Sequence, residues 1–249
     1  TNDVLAELPL TGVSFTQVLN APGTLNARLL ISDVRESKYD IPNSTIPART
    51  AIYVDRNGVL VWGGILWLRT YNEDTQTLTF SAREFDSYLE HRLISATTNF
   101  TNTDQLTIAE TLVNDAQAIT GGDIGLIVPS NTSGVLVSRT YYNYELKNLY
   151  QGIKDLATQS NGFDFNVDVA YDNSGNPTKT LSLSYPYRGV TYDSTSPTAL
   201  VFELPGNMVT YEYPEDGSIL ANTMWGIGPG SNEGKLIATA SLPSQIAAG

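Results

Sequence analysis

The sequence predicts a mainly β protein of the α+β class, with a helical segment between two β-rich regions. Within residues 51–85, apolar runs lie on both sides of a tight-turn sequence. From Phe163 onward, apolar residues alternate with polar residues, as in a strand. Between these regions, apolar residues recur at helical spacing at residues 106–119 and 146–157. The predicted order along the chain is therefore β, then a pair of helices, then β again.

The most informative stretch, residues 51–85, predicts three consecutive strands. Asp55-Arg56-Asn57-Gly58 separates two apolar runs and is typical of a tight hairpin turn, because Asn and Gly tolerate positive φ. The second run is apolar throughout, so we expect a central strand buried on both faces. Gly63 and Gly64 within it predict a bulge or a close backbone contact. Alternation at 77–82 predicts a third strand with one buried face.

The flanking residues define the rest of an N-terminal β unit. Alternation at 25–31 predicts another strand, residues 84–93 predict a strand end followed by a helical turn, and the polar run at 97–103 is interpreted as a linker. The predicted domains are an N-terminal β-barrel at 1–95, a helical insertion at 96–162 and a second β domain at 163–249. Whether the second β domain continues beyond this chain is left open.

Two helices are predicted in the middle of the chain. Thr103 or Asp104 is expected to cap the first helix, which Gly121 and Gly122 end. The second is expected to run from about residue 145 to residue 160, because one apolar stripe continues through it. We expect the two apolar stripes to pack against each other or against a sheet.

The C-terminal region is expected to return to β structure. The loop at 172–177 separates two alternating runs and predicts a second hairpin. Further strands are expected at 199–204, 208–213 and 236–240, with a Gly-rich connection at 226–234.

Composition and charge exclude several classes of function. The chain has 249 residues, enough for one large or two small domains, and 41% of them are hydrophobic. No stretch is long and apolar enough to span a membrane, and no charged leader precedes an apolar segment, so no membrane insertion is expected. The formal net charge is -12 and Lys and Arg do not cluster, which argues against tight binding to nucleic acid. The first residue is Thr1, so the chain is either trimmed or part of a longer protein.

Residues suited to catalysis are few. The sequence has no Cys and no Gly-x-Ser-x-Gly motif, and its one imidazole, His91, lies in a charged run and is expected at a surface or domain edge. Two carboxylate pairs, Glu84 with Asp86 and Asp164 with Asp168, have the residue types of a glycosidase site, but abundant acids usually form a solvated surface. We predict no catalytic residues and no enzymatic activity.

Two oxygen-rich groups raise the possibility of a metal site. Asp164, Asn166 and Asp168 have the spacing that opens a calcium loop, but the required Gly is absent and the alternation favours a strand. Asp172, Ser174 and Asn176 lie in a sequence that is equally typical of a hairpin loop. The sequence therefore predicts no metal ligands and no cofactor.

A glycine motif and the aromatic residues also allow more than one interpretation. Gly226, Gly228 and Gly230 suggest a phosphate-binding loop, but no strand-to-helix context follows and Pro229 removes an amide donor, so a connection between strands is favoured. Aromatic side chains either form a sugar-stacking platform or, as is more common, lie in the core or a subunit interface. The candidates are Trp62, Trp67, Tyr141, Tyr142, Tyr144, Tyr185 and Tyr187.

Several of these segments together resemble a known family. They are Gly12-Val-Ser-Phe15 and Leu19-Asn-Ala-Pro-Gly23, the strand at 25–31, the hairpin at 53–64 with its Trp-Gly-Gly, the run at 139–142, the helix from Glu145, and the segments 160–165 and 183–186. The combination resembles the minor tail proteins of long-tailed phages of actinobacteria. These are tail hub proteins, related in fold to the baseplate hub of contractile-tailed phages.

The resemblance implies two β-barrel domains similar to the tail-tube fold, with a two-helix insertion between them. It implies a homotrimer at the tail tip, whose six barrels match the hexameric tail tube or distal tail protein above and whose threefold end receives a tail fibre or spike protein below. Genome DNA is expected to pass through the channel without specific binding, because an acidic lumen repels phosphates.

These expectations lead to a predicted function. We predict a structural virion protein that is assembled in the host cytoplasm and is located at the tail tip of the virion. The alternative is a carbohydrate- or receptor-binding β-rich module of a virion or cell surface, which the tyrosines and the β content support. A third hypothesis is a hydrolase acting on cell-wall polymer.

Overall fold

The computed structural model describes residues 4–31, 40–189, 202–217, 221, 223–231 and 235–242. The chain divides into two units, Thr1–Gly189 and Val190–Gly249. Twelve strands and four short to medium α-helices account for the regular structure of the described residues. The mainly β, α+β prediction is therefore confirmed.

A five-stranded antiparallel sheet begins the first unit. Its strands lie in the order β1-β2-β5-β4-β3, so β4 has a neighbour on each side, as predicted for the long apolar run. The predicted turn joins β3 to β4, and the Asp55 carboxylate accepts a hydrogen bond from the Gly58 amide at 2.9 Å. The strands are β1 (Thr11–Phe15), β2 (Thr24–Leu30), β3 (Ala51–Arg56), β4 (Val59–Asn72) and β5 (Thr77–Glu84).

The two glycines of β4 lie between two irregularities in its pairing. The register shifts between Val54 and Asp55 on the β3 side and between Leu66 and Leu68 on the β5 side, and such bulges bend and twist a sheet. At Gly64 a Cβ atom would lie 2.1 Å from the backbone oxygen of Arg83. The predicted close backbone contact is confirmed at this position, and only a residue without a side chain fits there.

One face of this sheet forms its core. Leu25, Ala27 and Leu29 of β2 are buried beside Phe80 and Ala82 of β5, in the alternation expected from the sequence. Trp62 and Leu66 of β4 lie in the same two apolar clusters. The side chains packed over this face come from the N-terminal segment, the residue after β2, α1 (Ile41–Ser44) and β3, and include Leu8, Leu10, Ile31, Ile41 and Ile52.

Helices and a second sheet complete the first unit. After α2 (Ser87–Glu90), the predicted helical turn, the chain forms β6 (Thr98–Asp104) and pairs it with β8 (Leu136–Tyr141). The prediction of a linker at 97–103 is therefore wrong. The run is polar because most of its side chains face solvent, whereas Phe100 is buried and contacts the Tyr141 ring edge-on at 6.2 Å.

The two predicted helices are present, but the second is shorter than expected. Asp104 caps α3 (Gln105–Ala118) by accepting a hydrogen bond from the Leu106 amide at 2.9 Å. The other helix, α4 (Leu149–Ala157), is capped by Asn148 instead of beginning near Glu145. The reason is the backbone at Leu146, whose φ of 43° follows a 3-10 turn at Asn143–Glu145 and cannot continue into a helix.

A three-stranded sheet lies beside these helices in the order β7-β10-β9. The strands are β7 (Leu126–Ile127), β9 (Asp164–Tyr171) and β10 (Pro177–Ser184), and β9 and β10 form the predicted second hairpin. Phe165 and Leu181 from this sheet share the largest apolar cluster with Ile108 of α3, Ile153 of α4 and Ile65 of β4. That cluster contains residues from all three predicted domains, whose boundaries at 95/96 and 162/163 stay a prediction.

The second unit contains one hairpin, β11 (Thr223–Ile227) paired with β12 (Ile237–Ser241). The predicted strand at 236–240 is confirmed by β12, while Gly226 lies within β11 and not in a connection. The prediction of a strand at 208–213 is wrong, since none of these residues pairs in a sheet and Val209 is 93% exposed. Of the predicted strand at 199–204, residues 199–201 lie outside the described residues, and 202–204 are not in a strand.

In the part of the chain that the structure describes, no helix combines the length and the apolar character needed to cross a bilayer.

Candidate functional site

The two predicted carboxylate pairs are brought together in the first unit. Glu84 ends β5 and Asp86 precedes α2, while Asp164 and Asp168 lie on β9. The charge of Asp168 raises the pKa of both Glu84 and Asp86, so the pairs interact although some 80 residues separate them in the chain. The sequence identified the four acids but did not indicate that they form one cluster.

Glu84 is held in a buried position by the backbone of an adjacent loop. Its Oε2 accepts a hydrogen bond from the Gly23 amide at 2.7 Å, and the residue is 7% exposed. Burial raises its pKa, and the hydrogen bonds from the backbone at Gly23 and Val18 and from Gln17 oppose that rise. A Cβ atom on Gly23 would lie 2.6 Å from this carboxylate, so the loop approaches closely because position 23 is glycine.

Asp86 is the most deeply buried acid of the cluster, at 1% exposure. Burial, followed by the nearby charge of Glu84, raises its pKa to about 8. Neither of its carboxyl oxygens has a hydrogen-bond partner of ordinary geometry among the described residues, although the Val167 backbone opposes the rise in pKa. Its buried position therefore favours the protonated form of Asp86.

Arg188, which follows β10, contacts both acids of the other pair. Its guanidinium group donates two hydrogen bonds to the Asp168 carboxylate, at 2.7 and 3.0 Å, and a third to the Asn166 side-chain oxygen at 2.5 Å. Its backbone amide donates to Asp164 at 2.8 Å. The residues of β9 that resembled the opening of a calcium loop therefore bind an arginine.

This geometry has clear chemical consequences. A glycosidase requires two carboxyl groups that flank a substrate in an open cleft. Here Glu84 and Asp86 are both buried, and Asp168 is engaged by Arg188. The arrangement is that of two buried carboxyl groups beside a partly exposed pair on β9 that Arg188 contacts.

The second oxygen-rich group is a hairpin turn. One carboxylate oxygen of Asp172 accepts hydrogen bonds from the amides of Ser174 and Asn176, each at 2.8 Å. This is the geometry of an Asx turn. Across residues 4–31, 40–189 and the described parts of 202–242, no three His, Asp or Glu side chains are placed to hold a metal ion.

His91 and most of the aromatic candidates have structural contacts. His91 is exposed, as predicted, and its ring stacks on Trp67 with the centroids 4.1 Å apart. Trp62 is fully buried, and its indole N–H donates to the Thr16 carbonyl at 3.2 Å. Tyr141 is also buried, so the core interpretation is confirmed for these two residues. Tyr185 and Tyr187 are partly exposed, at 37% and 48%.

Tyr142 and Tyr144 form an exposed stacked pair. Their rings lie 5.1 Å apart at an angle of 19°, and Tyr144 is 74% exposed. The next apolar residue, Leu146, is 57% exposed and has the positive φ noted above. The Asn143 amide donates to the Thr97 hydroxyl at 3.0 Å and fixes this segment to the start of β6. We call residues 142–146 the Tyr144 turn.

A cavity of about 1070 Å³ opens elsewhere in the first unit. The N-terminal segment, residues 44–55, the loop at 123–125 and the β9–β10 hairpin line it. Exposed Val4 and Leu5 lie at this cavity together with exposed Arg49, while Lys179 in its wall is buried, which lowers its pKa. The sequence did not indicate this cavity, because the segments that line it are far apart in the chain. Charged residues line it beside the apolar ones: Glu7, Arg49, Asp55, Asp123 and Lys179. We call it the N-terminal cavity.

Comparisons with known proteins reveal similarity only at the level of structure. No protein-family model matches the sequence. No curated protein matches it either.

The solved structures that are similar to this chain include three tail or secretion proteins. A tail protein from Neisseria meningitidis has a TM-score of 0.51 and 12% identity, with 90% of this chain and 60% of that chain covered. The 43 kDa tail protein of prophage MuSo2 from Shewanella oneidensis has a TM-score of 0.41 and 21% identity, covering 68% and 49%. The Escherichia coli protein c3393, described as a type VI secretion component similar to T4 tail proteins gp27 and gp5, has a TM-score of 0.42 and 12% identity, covering 73% and 49%.

These similarities define the fold and its extent. The chain spans between 49% and 60% of the length of the proteins it matches. The Neisseria tail protein matches nearly the whole chain, at an identity that shows the fold alone. This chain therefore shares the fold of that tail protein.

Proposed function

We propose that this chain is a structural virion protein, a hub at the tail tip that forms a homotrimer. In this role it joins a hexameric tail tube or distal tail protein above to a tail fibre or spike protein below, and it surrounds part of the channel through which the genome leaves. The observation that supports the proposal is the fold shared with the Neisseria tail protein over 90% of the chain. The relation to tail proteins of actinobacterial phages is part of the same proposal.

The charge of the chain suits a conduit for DNA. With 26 acidic and 14 basic residues, the protein repels a phosphate backbone, and several of the basic side chains are engaged by carboxylates, including Arg83, Lys147 and Arg188. We expect no retardation of double-stranded DNA in a mobility-shift assay at low salt. Binding at micromolar protein would contradict the proposed passive channel.

A non-enzymatic role is part of the proposal. The two acids best placed to act as a catalytic pair, Glu84 and Asp86, are buried, and Glu84 accepts a hydrogen bond from the Gly23 amide. We expect no release of fragments from purified peptidoglycan. This part of the proposal would be overturned if the unmodified protein hydrolysed peptidoglycan and a folded Glu84→Gln variant did not.

The oligomeric state is the first test. Light scattering coupled to size-exclusion chromatography should give three times the mass of one 27.0 kDa chain. Negative-stain images of the same sample should show rings with threefold symmetry and a central opening. A monomer at every concentration tested would count against the hub.

One observation favours a second function, a carbohydrate- or receptor-binding module. The Tyr142–Tyr144 pair is exposed, and aromatic rings on a surface can stack on sugars. A glycan array probed with the purified protein tests this alternative. The binding module would be favoured over the hub if the protein were monomeric and bound a glycan, and if Tyr144→Ser abolished that binding.

A further inference from the structure

Uncharged polar side chains lie on the solvent side of the paired strands β6 and β8. Asn99 of β6 lies directly opposite Thr140 of β8, and the Thr140 hydroxyl donates to the Asn99 side-chain oxygen at 2.7 Å. The other side of the strand pair is buried through Phe100 and Tyr141. Because side chains alternate along a strand, Asn99 and Thr140 point away from the core, and both are exposed.

A second threonine–asparagine pair lies at the end of the same strands. The Thr97 hydroxyl donates to the Asn143 side-chain oxygen at 3.1 Å, and both residues are exposed. Thr97 precedes Asn99 by two residues, which is about 7 Å in a strand and places it on the same face. One extended ligand can therefore contact both pairs.

The two asparagines present hydrogen-bond donors to solvent. Each side-chain oxygen accepts from its threonine, so the amide nitrogen of each side chain keeps two N–H donors. Within the described part of the chain, neither nitrogen donates to another group. Donors of this kind suit a ligand that is rich in hydroxyl and ether oxygens, and the threonine hydroxyls can accept from the same ligand.

The stacked tyrosines continue this surface. Tyr142 follows Thr140 by two residues, and its ring stacks on that of Tyr144, which is 74% exposed. An aromatic ring offers an apolar face on which the C–H groups of a sugar ring can pack, while adjacent donors bind its hydroxyl groups. We call this surface the polar strip, and its members are Thr97, Asn99, Thr140, Tyr142, Asn143 and Tyr144.

The charges around the polar strip favour a neutral ligand. The strip itself carries no charge, and Glu145 is exposed beside it. Arg139 alternates to the other face of β8 and donates to the Gln159 side chain at 2.8 Å, and Lys147 is paired with Asp155. A carboxylate, phosphate or sulfate group on the ligand would therefore meet the charge of Glu145, while these two cations are engaged elsewhere.

We infer that the polar strip binds a neutral polysaccharide, with one sugar ring stacked on Tyr144 and adjacent sugars hydrogen-bonded by Asn99 and Asn143. This inference rests on the second function proposed above, the carbohydrate-binding module, and specifies its site and its class of ligand. It does not depend on the oligomeric state, since a trimeric hub can carry the same strip on each subunit.

Affinity electrophoresis in native gels tests the inference, because an acidic protein moves toward the anode unless a polysaccharide in the gel retards it. Separate gels contain dextran, mannan or galactan as neutral polymers, and alginate as the acidic counterpart. We expect at least one neutral polymer to retard the protein and alginate to leave its mobility unchanged. If none of the neutral polymers retards the protein, or if alginate retards it more strongly than they do, the inference is overturned.

Substitutions in the strip identify the binding groups. Asn99→Asp keeps the oxygen that accepts from Thr140 but replaces the N–H donors with a charged oxygen. It should weaken binding at least about tenfold, as should Tyr144→Ser, which removes the stacking ring. Asn26→Asp is the matched control, because Asn26 is an exposed strand residue whose side-chain oxygen accepts from the Ser81 hydroxyl at 2.9 Å. It should bind as the unmodified protein does.

The results distinguish the polar strip from the wider proposal, provided that circular dichroism shows every variant to be folded. Binding that Tyr144→Ser weakens and Asn99→Asp leaves unchanged would overturn the strip and leave a carbohydrate-binding module standing. The same conclusion follows if the neutral polymers fail and an acidic glycan binds on the array. No binding in either assay overturns both, whereas the hub is judged separately by its trimeric mass.

Discussion

The first sheet and the β11–β12 hairpin both consist of antiparallel strands that carry large apolar side chains, but these side chains differ in burial. In the sheet, Phe80 and Trp62 are completely buried. In the hairpin, Met224 and Trp225 are 68% and 67% exposed, and none of the described residues of the second unit is buried. A strand sequence therefore defines an apolar face, but it does not supply the layer that covers this face.

The energetic consequence is different for each region. A sheet with several strands and a covered face is stable by itself, whereas an isolated two-stranded hairpin is at best marginally stable in water. Neither β11 nor β12 contains a charged residue or a proline, the residues that normally prevent further strand pairing. We expect the stability of the chain to depend on the first unit and to be insensitive to changes in the hairpin.

The largest expected difference is between two phenylalanines. Phe80→Ala should lower the free energy of unfolding by about 3–5 kcal/mol, because it leaves a cavity in a core with no exposed surface. Phe202→Ala, at a side chain that is 71% exposed, should change it by less than about 0.5 kcal/mol. Urea unfolding followed by circular dichroism measures both. Similar losses would mean that Phe202 is covered in solution and would end the contrast between the units.

The first unit should also respond to pH through Asp86. Its pKa of about 8 in the folded protein exceeds its value of about 3.9 in an unfolded chain, so the folded state binds the proton more tightly. The stability that this proton contributes is complete below about pH 4 and is lost as pH rises toward 8. The slope is at most about 1.4 kcal/mol per pH unit.

Asp86→Asn should remove this contribution, because the amide cannot ionise. The free energy of unfolding of both proteins should be measured by urea unfolding at several pH values from 5 to 9. As the pH rises, that of the unmodified protein should fall relative to that of the variant. Asp172→Asn is the control, since hydrogen bonds from the backbone lower the pKa of Asp172, and its loss should leave the pH dependence between pH 5 and pH 9 unchanged. Parallel curves for Asp86→Asn and the unmodified protein would show that Asp86 is ionised in the fold.

A pair of glycines extends the comparison to the backbone. At Gly64 the new methyl group of Gly64→Ala would lie 2.1 Å from the Arg83 oxygen, so the strands must move apart, at an expected cost of about 1–3 kcal/mol. Gly226→Ala in β11 meets its nearest atom at 3.7 Å and should be neutral or slightly stabilising. Thermal unfolding distinguishes the two. If both substitutions changed the melting temperature equally little, β4 and β5 would be less tightly packed at Gly64 than their register implies.

The smallest effect is expected at the Arg188–Asp168 ion pair. Both side chains are more than one third exposed, at 37% and 44%, so solvent screens the interaction. Arg188→Gln should cost at most about 1 kcal/mol, and less in high salt. Unfolding at two salt concentrations measures this. A loss that is large and independent of salt would show that Arg188 is a core element of the acidic cluster.

Much of the first unit could be predicted because its signals are local. Asn57 and Gly58 adopt positive φ in the predicted turn, and Asp104 caps α3 as expected. The alternation of β2 and β5 correctly identified their buried faces. Such features follow from the stereochemistry of a few adjacent residues, so neighbouring sequence is enough to specify them.

Other features could not be predicted because they depend on distant partners. The run at 97–103 has no apolar alternation, yet it becomes β6 because β8 provides the hydrogen bonds. The start of α4 is moved to Leu149 by contacts of the preceding segment with residues 92–97, although the apolar stripe continues toward residue 146. In both cases long-range pairing overrides the local pattern.

The sequence by itself determined the mainly β class, the order of β and helical regions, and the turns and caps, because these follow from local backbone preferences and from apolar periodicity. The tertiary structure decided which acids lie close together, which aromatic residues are buried, and where a cavity opens. Glu84 and Asp86 illustrate the division: their types are visible in the sequence, but their burial and their raised pKa depend on neighbours that folding supplies.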